Sequence, residues 1–481
     1  CYFRHQKKKV PFLNGAFVKT RNRHAKRRQK DSKKHQINGL MDHLKINRAF
    51  IASQCSNDIE DFCSEYHNKI LGLSLVVPIT INSKKFSELD QKIMVLKSEF
   101  GVTANSVNTL KNEINNLEII QLNNYEALAW SDICEDKSSE TCEALISFFK
   151  GLNIENYSVN INSQEGQFEN ISYKVIGEGP PLLLFPFFLS AKQWNPIIQK
   201  LSDFFTLVII GGKDFGAIPS LEDRAELPTY KAMLETLVSN MNISKNGKVL
   251  ELGCGPASLC RQVLKLRKDL SLVGVDINEY LLTEGSKIAQ DQNFKVNPFF
   301  KDNSQPSRSN LKPNELNLSY SDATNISFPD NFFDAVYSVT VLEECDAQKS
   351  IAEIKRVLKP GGVAGIVVRA LDAPQWWNIK VSDSVNKIIS VPPQMVSPKG
   401  VADMSLYEKV KLANFKNIVS YPFWFTASSG NNSYIYDMYH GRARQLLNYK
   451  QQKEFDTEIK NVNETSQSIL SVPLHCCIGY K

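Results

Sequence analysis

VLELGCGPASL, residues 249–259, joins a short apolar run to a glycine turn. A helix-like segment follows, and a second apolar run, Leu272 to Val275, then ends at Asp276. Glycines let the backbone approach a ligand closely, and the free N–H groups at a helix start favour a polar or anionic group. A carboxylate at the tip of the second strand can bind both hydroxyls of a ribose. The stretch therefore predicts a nucleotide-binding βαβ unit.

The dinucleotide fingerprint G-x-G-x-x-G fits this turn poorly, because its third glycine would fall at Ser258. An acid, Glu251, instead stands two places before the first glycine, Gly253. That placement is typical of S-adenosylmethionine (SAM) sites, and the spacing suits a nucleoside without a pyrophosphate.

Further segments continue the pattern toward the C-terminus. SYSDA (319–323) is typical of a third strand that ends in an acid, and FPDNFFDAVYS (328–338) of a tight turn into a fourth strand. Glu353 to Lys359 has the pattern of a helix end, which Pro360-Gly361-Gly362 closes before a strand from Val363 to Arg369. Strands that alternate with helices over short links predict a parallel sheet with right-handed crossovers.

With these motifs in order, residues 226–481 resemble class I SAM-dependent methyltransferases of the ubiquinone/menaquinone-methyltransferase-like superfamily. The motifs are ELGCG (251–255), the strand end at Asp276, SDA (321–323), FPDNFFDAVYS (328–338) and RVLKPGG (356–362). The resemblance implies an α/β fold, a Rossmann-like seven-stranded sheet with an antiparallel last strand. It places the last helix at 402–415, the sixth strand at 417–425 and the seventh at 475–481.

The resemblance also implies a cofactor, SAM, and residues that hold it. Asp276 would bind the ribose hydroxyls, and Asp322 with the backbone of Ala323 would contact the adenine edge. Tyr230 would close over the cofactor. The full set of expected cofactor-binding residues is Tyr230, Glu251, Gly253, Cys254, Gly255, Asp276, Ile277, Asp322 and Ala323. The chain departs from the usual pattern at Pro256-Ala257, where such families often have a further Gly-x-Gly step.

Methyl transfer depends more on the orientation of the acceptor than on proton transfer. A base is needed only if the acceptor must lose a proton. No histidine lies between residues 68 and 439. The catalytic candidates are Glu343 and Glu344, after the predicted fourth strand, and Arg369, after the fifth. A solvated pair of turn residues is an equally good interpretation of the two glutamates. The ten cysteines form no C-x-x-C motif, so no metal site is expected.

The positive charge of the chain is concentrated at its start. Residues 1–48 contain 15 Lys/Arg and two acids, whereas the remaining residues contain 42 basic and 49 acidic side chains. This basic arm could be a solvated tail, part of a mitochondrial targeting segment, or an arm that neutralises phosphates of RNA or a ribonucleoprotein. We expect an intracellular protein, mitochondrial or alternatively cytoplasmic. No apolar run is long enough for a transmembrane helix.

Residues 49–165 are expected to be mainly helical. Two apolar stripes have helical spacing, and the turn between them would be Gly101 to Ser106. The stripes are Leu89, Ile93, Leu96 and Phe100, then Val107, Leu110, Ile114 and Leu117. They predict a helical hairpin without recognisable chemistry.

Residues 166–225 contain YKVIGEGPPLLL (173–184), which is similar to the opening strands of α/β-hydrolases. The chain has no G-x-S-x-G nucleophile elbow, so hydrolase activity is rejected. We expect a small β–α–β layer that leads into or covers the methyltransferase domain.

Two classes of function follow. One is a SAM-dependent methyltransferase for a small organic acceptor. The other is a methyltransferase-fold subunit of a larger, RNA-containing or membrane-bound assembly, with or without retained SAM binding.

Overall fold

The structure is a computed structural model. It describes residues 32–481 apart from 80, 88, 102–103, 105–106, 108–109, 111–112, 128–130, 153–163, 301–306, 393–395 and 432. Two large sheets organise these residues, one before residue 212 and one after residue 247.

The N-terminal sheet has eight strands in the order β4-β3-β2-β1-β7-β8-β6-β5. Strands β1 to β4, β7 and β8 are parallel, and β6 is antiparallel to both of its neighbours, β8 and β5. The strands are β1 (Ala49–Ser53), β2 (Ile70–Val76), β3 (Ile93–Phe100), β4 (Leu117–Glu126), β5 (Glu165–Phe168), β6 (Ile171–Ile176), β7 (Pro181–Leu184) and β8 (Thr206–Gly211). The helices are α1 (Lys33–His43), α2 (Glu60–Glu65), α3 (Ser83–Phe86), α4 (Ile133–Asp136), α5 (Ser138–Gly151) and α6 (Asn195–Ser202).

The prediction of a helical hairpin in residues 89–117 is therefore wrong for its first stripe. Ile93 and Val95 pack in one apolar cluster, whereas Met94 and Leu96 pack in another on the opposite face of the sheet. A strand of a parallel sheet is covered on both faces, so its sequence is a continuous apolar run that also fits a helical spacing. In the second stripe Val107 is helical, but Leu117 begins β4, and the predicted turn lies largely outside the described residues.

Two predicted boundaries also change. Helix α1 lies inside the proposed basic arm, and its residues Ile37, Leu40 and Met41 are buried in the core of the N-terminal sheet. The folded region thus begins before residue 48, and residues 1–31 lie outside the described part. The hydrolase-like strands β5 to β8 exist, but they complete the eight-stranded sheet instead of forming a small separate layer.

The C-terminal sheet has nine strands and contains the predicted methyltransferase core. Its order is β11-β12-β10-β9-β13-β14-β17-β15, with β16 also paired to β17. The strands are β9 (Lys248–Leu252), β10 (Ser271–Asp276), β11 (Lys295–Phe300), β12 (Glu315–Tyr320), β13 (Phe333–Val339), β14 (Leu358–Arg369), β15 (Trp376–Trp377), β16 (Lys416–Ser428) and β17 (Ile469–Tyr480). The antiparallel last strand is confirmed, since β17 is antiparallel to β14 and β16. Two strands, β11 and β15, add to the seven that were predicted.

Helices cover both faces of this sheet. They are α7 (Ala217–Glu226), α8 (Pro228–Asn240), α9 (Ser258–Leu266), α10 (Glu279–Asp291), α11 (Ala347–Val357), α12 (Asp383–Ile389), α13 (Ser405–Leu412), α14 (Tyr434–Gln445) and α15 (Tyr449–Thr465). Strand β9 lies between β10 and β13, so the chain builds the sheet on one side of β9 through β12 and then crosses to the other side at β13. Ligands bind at the carboxyl ends of the strands at such a switch point.

Within the described part of the chain, no helix is both long and apolar enough to cross a bilayer. The same residues contain no cluster of side chains that could hold a metal ion.

Candidate active site

A cavity of about 380 Å³ opens at the carboxyl edge of the C-terminal sheet, and we call it the central cavity. Its walls include the turns that follow β9, β10, β12, β13 and β14. The volume lies within the range of small-molecule sites, roughly 300–1,000 Å³. The expected residues that line it are Glu251, Gly253, Cys254, Gly255, Asp276, Ile277, Asp322, Ala323, Glu344 and Arg369.

The turn after β9 is shaped by left-handed backbone conformations. Gly253 has φ +72°, and a Cβ there would lie 2.3 Å from the side chain of Val341. Its N–H and that of Cys254 donate to the carbonyl oxygen of Val275, at 2.8 and 2.9 Å. The turn is thereby fixed to the end of β10. Ala257, at the irregular step of the motif, is also left-handed, with φ +59°.

Asp276 holds the turn from the other side. Its Oδ2 accepts the N–H of Gly255 at 2.8 Å, and its Oδ1 accepts the N–H of Asn278 at 2.8 Å. Burial raises the pKa of this carboxyl group, and the backbone donors oppose the rise. A carboxylate has about four lone-pair sites, so the backbone donors leave the Asp276 carboxylate able to accept from a ribose.

The side of the cavity on which the resemblance places the adenine has an exposed apolar residue and an anchored acid. Ile277 is 59% exposed although it lines the central cavity, so an aromatic base could cover it. Asp322 Oδ1 accepts the N–H of Thr324 at 2.7 Å and its hydroxyl at 2.9 Å. The second oxygen of Asp322 is thus available for a ligand. The arrangement suits the roles expected for Ile277, Asp322 and Ala323.

Glu251 lies at the buried end of the cavity. Its Oε2 accepts the hydroxyl of Tyr337 at 2.7 Å, and only 2% of the residue is exposed. Burial raises its pKa to about 7, against hydrogen bonds from Cys260 and Tyr337 that favour the charged form. A carboxyl group with this pKa can change charge near neutral pH.

The Glu251 carboxyl should make stability depend on pH. Because its pKa is about 7 in the folded state and near 4.5 when unfolded, its contribution to stability falls as pH rises from about 4.5 to 7. The free energy of unfolding is measured with urea at pH 5 and at pH 8. Between these pH values, that of the native protein should fall by on the order of 3 kcal/mol relative to that of Glu251→Gln. An unchanged difference between the two proteins at both pH values would refute the assignment.

Tyr230 does not line the central cavity, contrary to its expected place over the cofactor. Its side chain is fully buried, and its ring packs edge-on against Phe425 with centroids 5.3 Å apart. The guanidinium of Arg224 lies over the same ring, 5.2 Å from its centroid. Arg224, rather than Tyr230, reaches the cavity.

The structure separates the three catalytic candidates. Glu343 is fully buried and accepts the backbone N–H of Arg369 at 2.6 Å, and its Oε2 also binds the guanidinium of Arg369. Glu344 faces the central cavity, and its nearest oxygen is 3.8 Å from Arg369. Surrounding protein raises the pKa of Glu344 to about 7. Glu343 therefore positions Arg369, and Glu344 is the candidate base.

The turn is also held by Gly285 of α10, which the motif analysis did not single out. A Cβ at Gly285 would lie 2.4 Å from the carbonyl oxygen of Pro256, a backbone atom of the turn. This contact explains why a helix that would otherwise favour alanine has glycine there.

Gly285→Ala should therefore destabilise the protein by about 1–3 kcal/mol, the usual cost of overpacking, and weaken SAM binding. Gly151→Ala is the matched control, because a Cβ on that helical glycine would meet nothing within 4 Å. Denaturant unfolding of both variants tests the contact. Equal stability of the two variants would contradict it.

Several cavity residues were missed because they come from distant parts of the chain. Four of them follow strands of the N-terminal sheet: Ile79, Ala127, Phe188 and Leu189. A helix between β16 and β17 contributes further cavity residues. The helix residues are Ile435, Met438 and Arg442 of α14. Their spacing of three and four residues was the available signal for one helix face.

The tryptophans after β14 are not cavity residues. Trp376 and Trp377 form β15 against β17, and Trp377 Nε1 donates to the carbonyl oxygen of Ile389 at 3.1 Å. Trp377 is buried and packs against Tyr436 and Phe455, whereas Trp376 is 56% exposed.

Residues 250–366 match the family model described as a methyltransferase domain. Sterol 24-C-methyltransferase erg6 of Aspergillus fumigatus is 30% identical over 143 residues, which are 29% of this chain and 33% of that protein. The uncharacterized methyltransferase YdaC of Bacillus subtilis is 30% identical over 139 residues, which are 28% of this chain and 64% of that protein. Among solved structures, YcgJ of Bacillus subtilis covers 52% of this chain and 98% of its own, with 16% identity and a TM-score of 0.34. This chain thus spans about a third of the length of the sterol methyltransferase.

The family match lies inside the domain that the motifs placed at 226–481 and includes the glycine turn, Asp276 and Asp322. It confirms a class I SAM-dependent methyltransferase domain, for which SAM is the cofactor.

Proposed function

We propose that this chain, which carries a class I SAM-dependent methyltransferase domain, transfers a methyl group from SAM to a small organic acceptor in the central cavity. The observation that carries the proposal is the Asp276 carboxylate. Both of its oxygens are fixed by backbone N–H groups of the turns after β9 and β10, at the edge of a cavity lined by the glycine turn. Asp276 therefore joins the two turns and also lines the cavity, where it can reach a ligand.

SAM supplies an electrophilic methyl group on a sulfonium, which leaves as a neutral thioether. The protein then has to orient the acceptor and remove water from it, and orientation alone can lower a barrier by roughly 7–11 kcal/mol. Glu344, with its pKa raised by its protein surroundings to about 7, can take a proton from an acceptor hydroxyl or amine at neutral pH. Arg369, held by Glu343, would orient the base or the acceptor.

The names of the relatives do not identify the acceptor of this chain. The family match ends at residue 366, whereas α14 and the N-terminal sheet supply a large part of the cavity wall away from the glycine turn. The proposal is therefore a small organic acceptor, and a sterol is one candidate among others.

The proposal is tested by incubating the full chain with SAM that carries a radiolabelled methyl group and an extract of small metabolites. We expect label in small-molecule products, and no label transfer with the Asp276→Ala variant. Label found only in protein or RNA would contradict a small acceptor.

RNA contact through the basic arm is a separate proposal, supported by 11 Lys/Arg against one acid in residues 1–31. A variant that lacks residues 1–31 but keeps helix α1 should lose salt-sensitive RNA binding and retain the affinity for SAM. Filter binding at two salt concentrations checks this. Full-length protein that binds no RNA would rule the contact out.

A further inference from the structure

The central cavity lies between the carboxyl ends of the parallel strands of both sheets. On the methyltransferase side these ends carry the glycine turn, Asp276 and Glu344. On the N-terminal side, the residues after β2, β4 and β7 enter the same cavity: Ile79, Ala127, Phe188 and Leu189. Because carboxyl ends of parallel strands are where ligands bind, both sheets present their binding edges to one space.

The two sheets are also joined beside this cavity. The hydroxyl of Tyr280, on α10, accepts the N–H of Gly212 at 2.8 Å and donates to its carbonyl oxygen at 3.0 Å. Lys192 and Glu279 form an ion pair at 2.5 Å across the same boundary. The N-terminal wall is thus attached to the helix that follows Asp276.

Arg442 is the unusual side chain of this wall. It is 8% exposed, it lines the central cavity, and its Nε has no hydrogen-bond partner among the residues that the structure describes. No carboxylate of the described residues forms an ion pair with it. Leaving a buried guanidinium without an anion is costly, so such a charge is expected where a ligand supplies the anion.

The neighbouring charges leave Arg442 uncompensated. Arg369 is neutralised by the buried Glu343, and the guanidinium of Arg224 lies over the ring of Tyr230. Glu344, the acid on this side of the cavity, lies 3.8 Å from the guanidinium of Arg369. The carboxylates of Asp276 and Asp322 accept backbone N–H groups on the side of the cavity proposed for the cofactor.

Apolar side chains line the central cavity beside Arg442, and Gln54, Asn57 and Tyr434 line a smaller space that Arg442 also borders. Ile435 and Met438 lie on the same face of α14, and Ile79 and Phe188 line the cavity from the N-terminal sheet. Phe188 is fixed in place because its N–H donates to Gln54 Oε1 at 2.7 Å. A ligand there would meet a cation at one point and hydrocarbon around it.

We propose that the methyl acceptor is a small organic acid whose carboxylate binds Arg442 and whose apolar body packs between α14 and the N-terminal sheet. This rests on the proposed methyl transfer. It assigns the N-terminal sheet a function, as the wall that selects the acceptor. Arginine is suited to this task because its planar fork binds a carboxylate through two parallel hydrogen bonds.

The cofactor also has a carboxylate, in its methionine portion, and the test has to distinguish the two sources. The first arm compares S-adenosylhomocysteine with 5′-methylthioadenosine, which lacks the amino-acid portion, on the native protein and on Arg442→Met. We expect both ligands to bind the two proteins equally well. A loss of affinity for S-adenosylhomocysteine alone would assign Arg442 to the cofactor and overturn the proposal.

The second arm titrates octanoate, benzoate and their methyl esters into the protein saturated with S-adenosylhomocysteine. We expect at least one acid to bind more tightly than its ester, and Arg442→Met to weaken that acid at least tenfold without affecting the ester. Arg444→Met, which removes an arginine of the same helix that pairs with Asp456 outside the cavity, is the matched control and should change nothing. Equal binding of acids and esters to the native protein would overturn the inference.

Leu189→Glu tests the wall without altering the arginine. A negative charge on the N-terminal side should weaken the acid at least tenfold and leave S-adenosylhomocysteine binding intact. Unchanged acid binding in this variant would exclude the N-terminal sheet from the acceptor site. Native protein that binds no S-adenosylhomocysteine would instead refute the proposed function itself.

Discussion

Asp276→Ala is expected to lower the affinity for SAM at least a hundredfold while leaving the protein folded. Each hydrogen bond to a charged group contributes about 1.5–3 kcal/mol, and a ribose offers two hydroxyls to this carboxylate. The substitution also frees the N–H groups of Gly255 and Asn278, which Asp276 now binds. Equilibrium dialysis with radiolabelled SAM measures the loss directly.

Two further variants sharpen that experiment. Asp276→Asn keeps one acceptor oxygen, so its affinity should lie between those of the native protein and the alanine variant. Asp291→Ala removes an acid that is 70% exposed at the end of α10, and it should bind SAM normally. An Asp276→Ala protein that binds SAM within threefold of the native affinity would mean that the cofactor does not use this carboxylate.

Glu344→Gln is expected to lower kcat by about 10²–10⁴, the usual contribution of a positioned base. The base works in its deprotonated form, so native activity should rise with pH through about 7, the pKa to which burial raises Glu344. The glutamine variant should lose this rise and keep its affinity for SAM. The measurement is a pH profile of kcat for an acceptor that loses a proton.

The matched control for Glu344→Gln is Glu464→Gln, an exposed position on α15. It should reproduce the native profile. If Glu344→Gln also kept the native profile, the group that titrates near pH 7 would have to be another one, and Glu251 is the next candidate because its pKa is also about 7.

The cofactor half of the site could be predicted from sequence because it is built locally. The turn after β9 and the acid at the end of β10 lie within 28 residues, and left-handed turns demand particular residue types. Which way a side chain points could not be predicted. Glu343 and Glu344 are adjacent, yet one is buried under Arg369 and the other faces the cavity.

The acceptor half was missed because it is assembled from distant segments. Phe188 and Arg442 are more than 250 residues apart in the chain and meet only through the packing of two sheets. The N-terminal sheet itself was missed because runs such as Ile93 to Leu96 are apolar at every position. Such a run contains both a helical and a strand spacing, and only its neighbours on both faces decide between them.

The central claim is that the glycine turn, Asp276 and Asp322 form a working SAM site. A calorimetric titration of the full-length protein with S-adenosylhomocysteine tests it most directly, with circular dichroism to establish that the protein is folded. We predict one site per chain with a dissociation constant in the micromolar range. Folded protein that gives no heat with S-adenosylhomocysteine or with SAM would contradict the account.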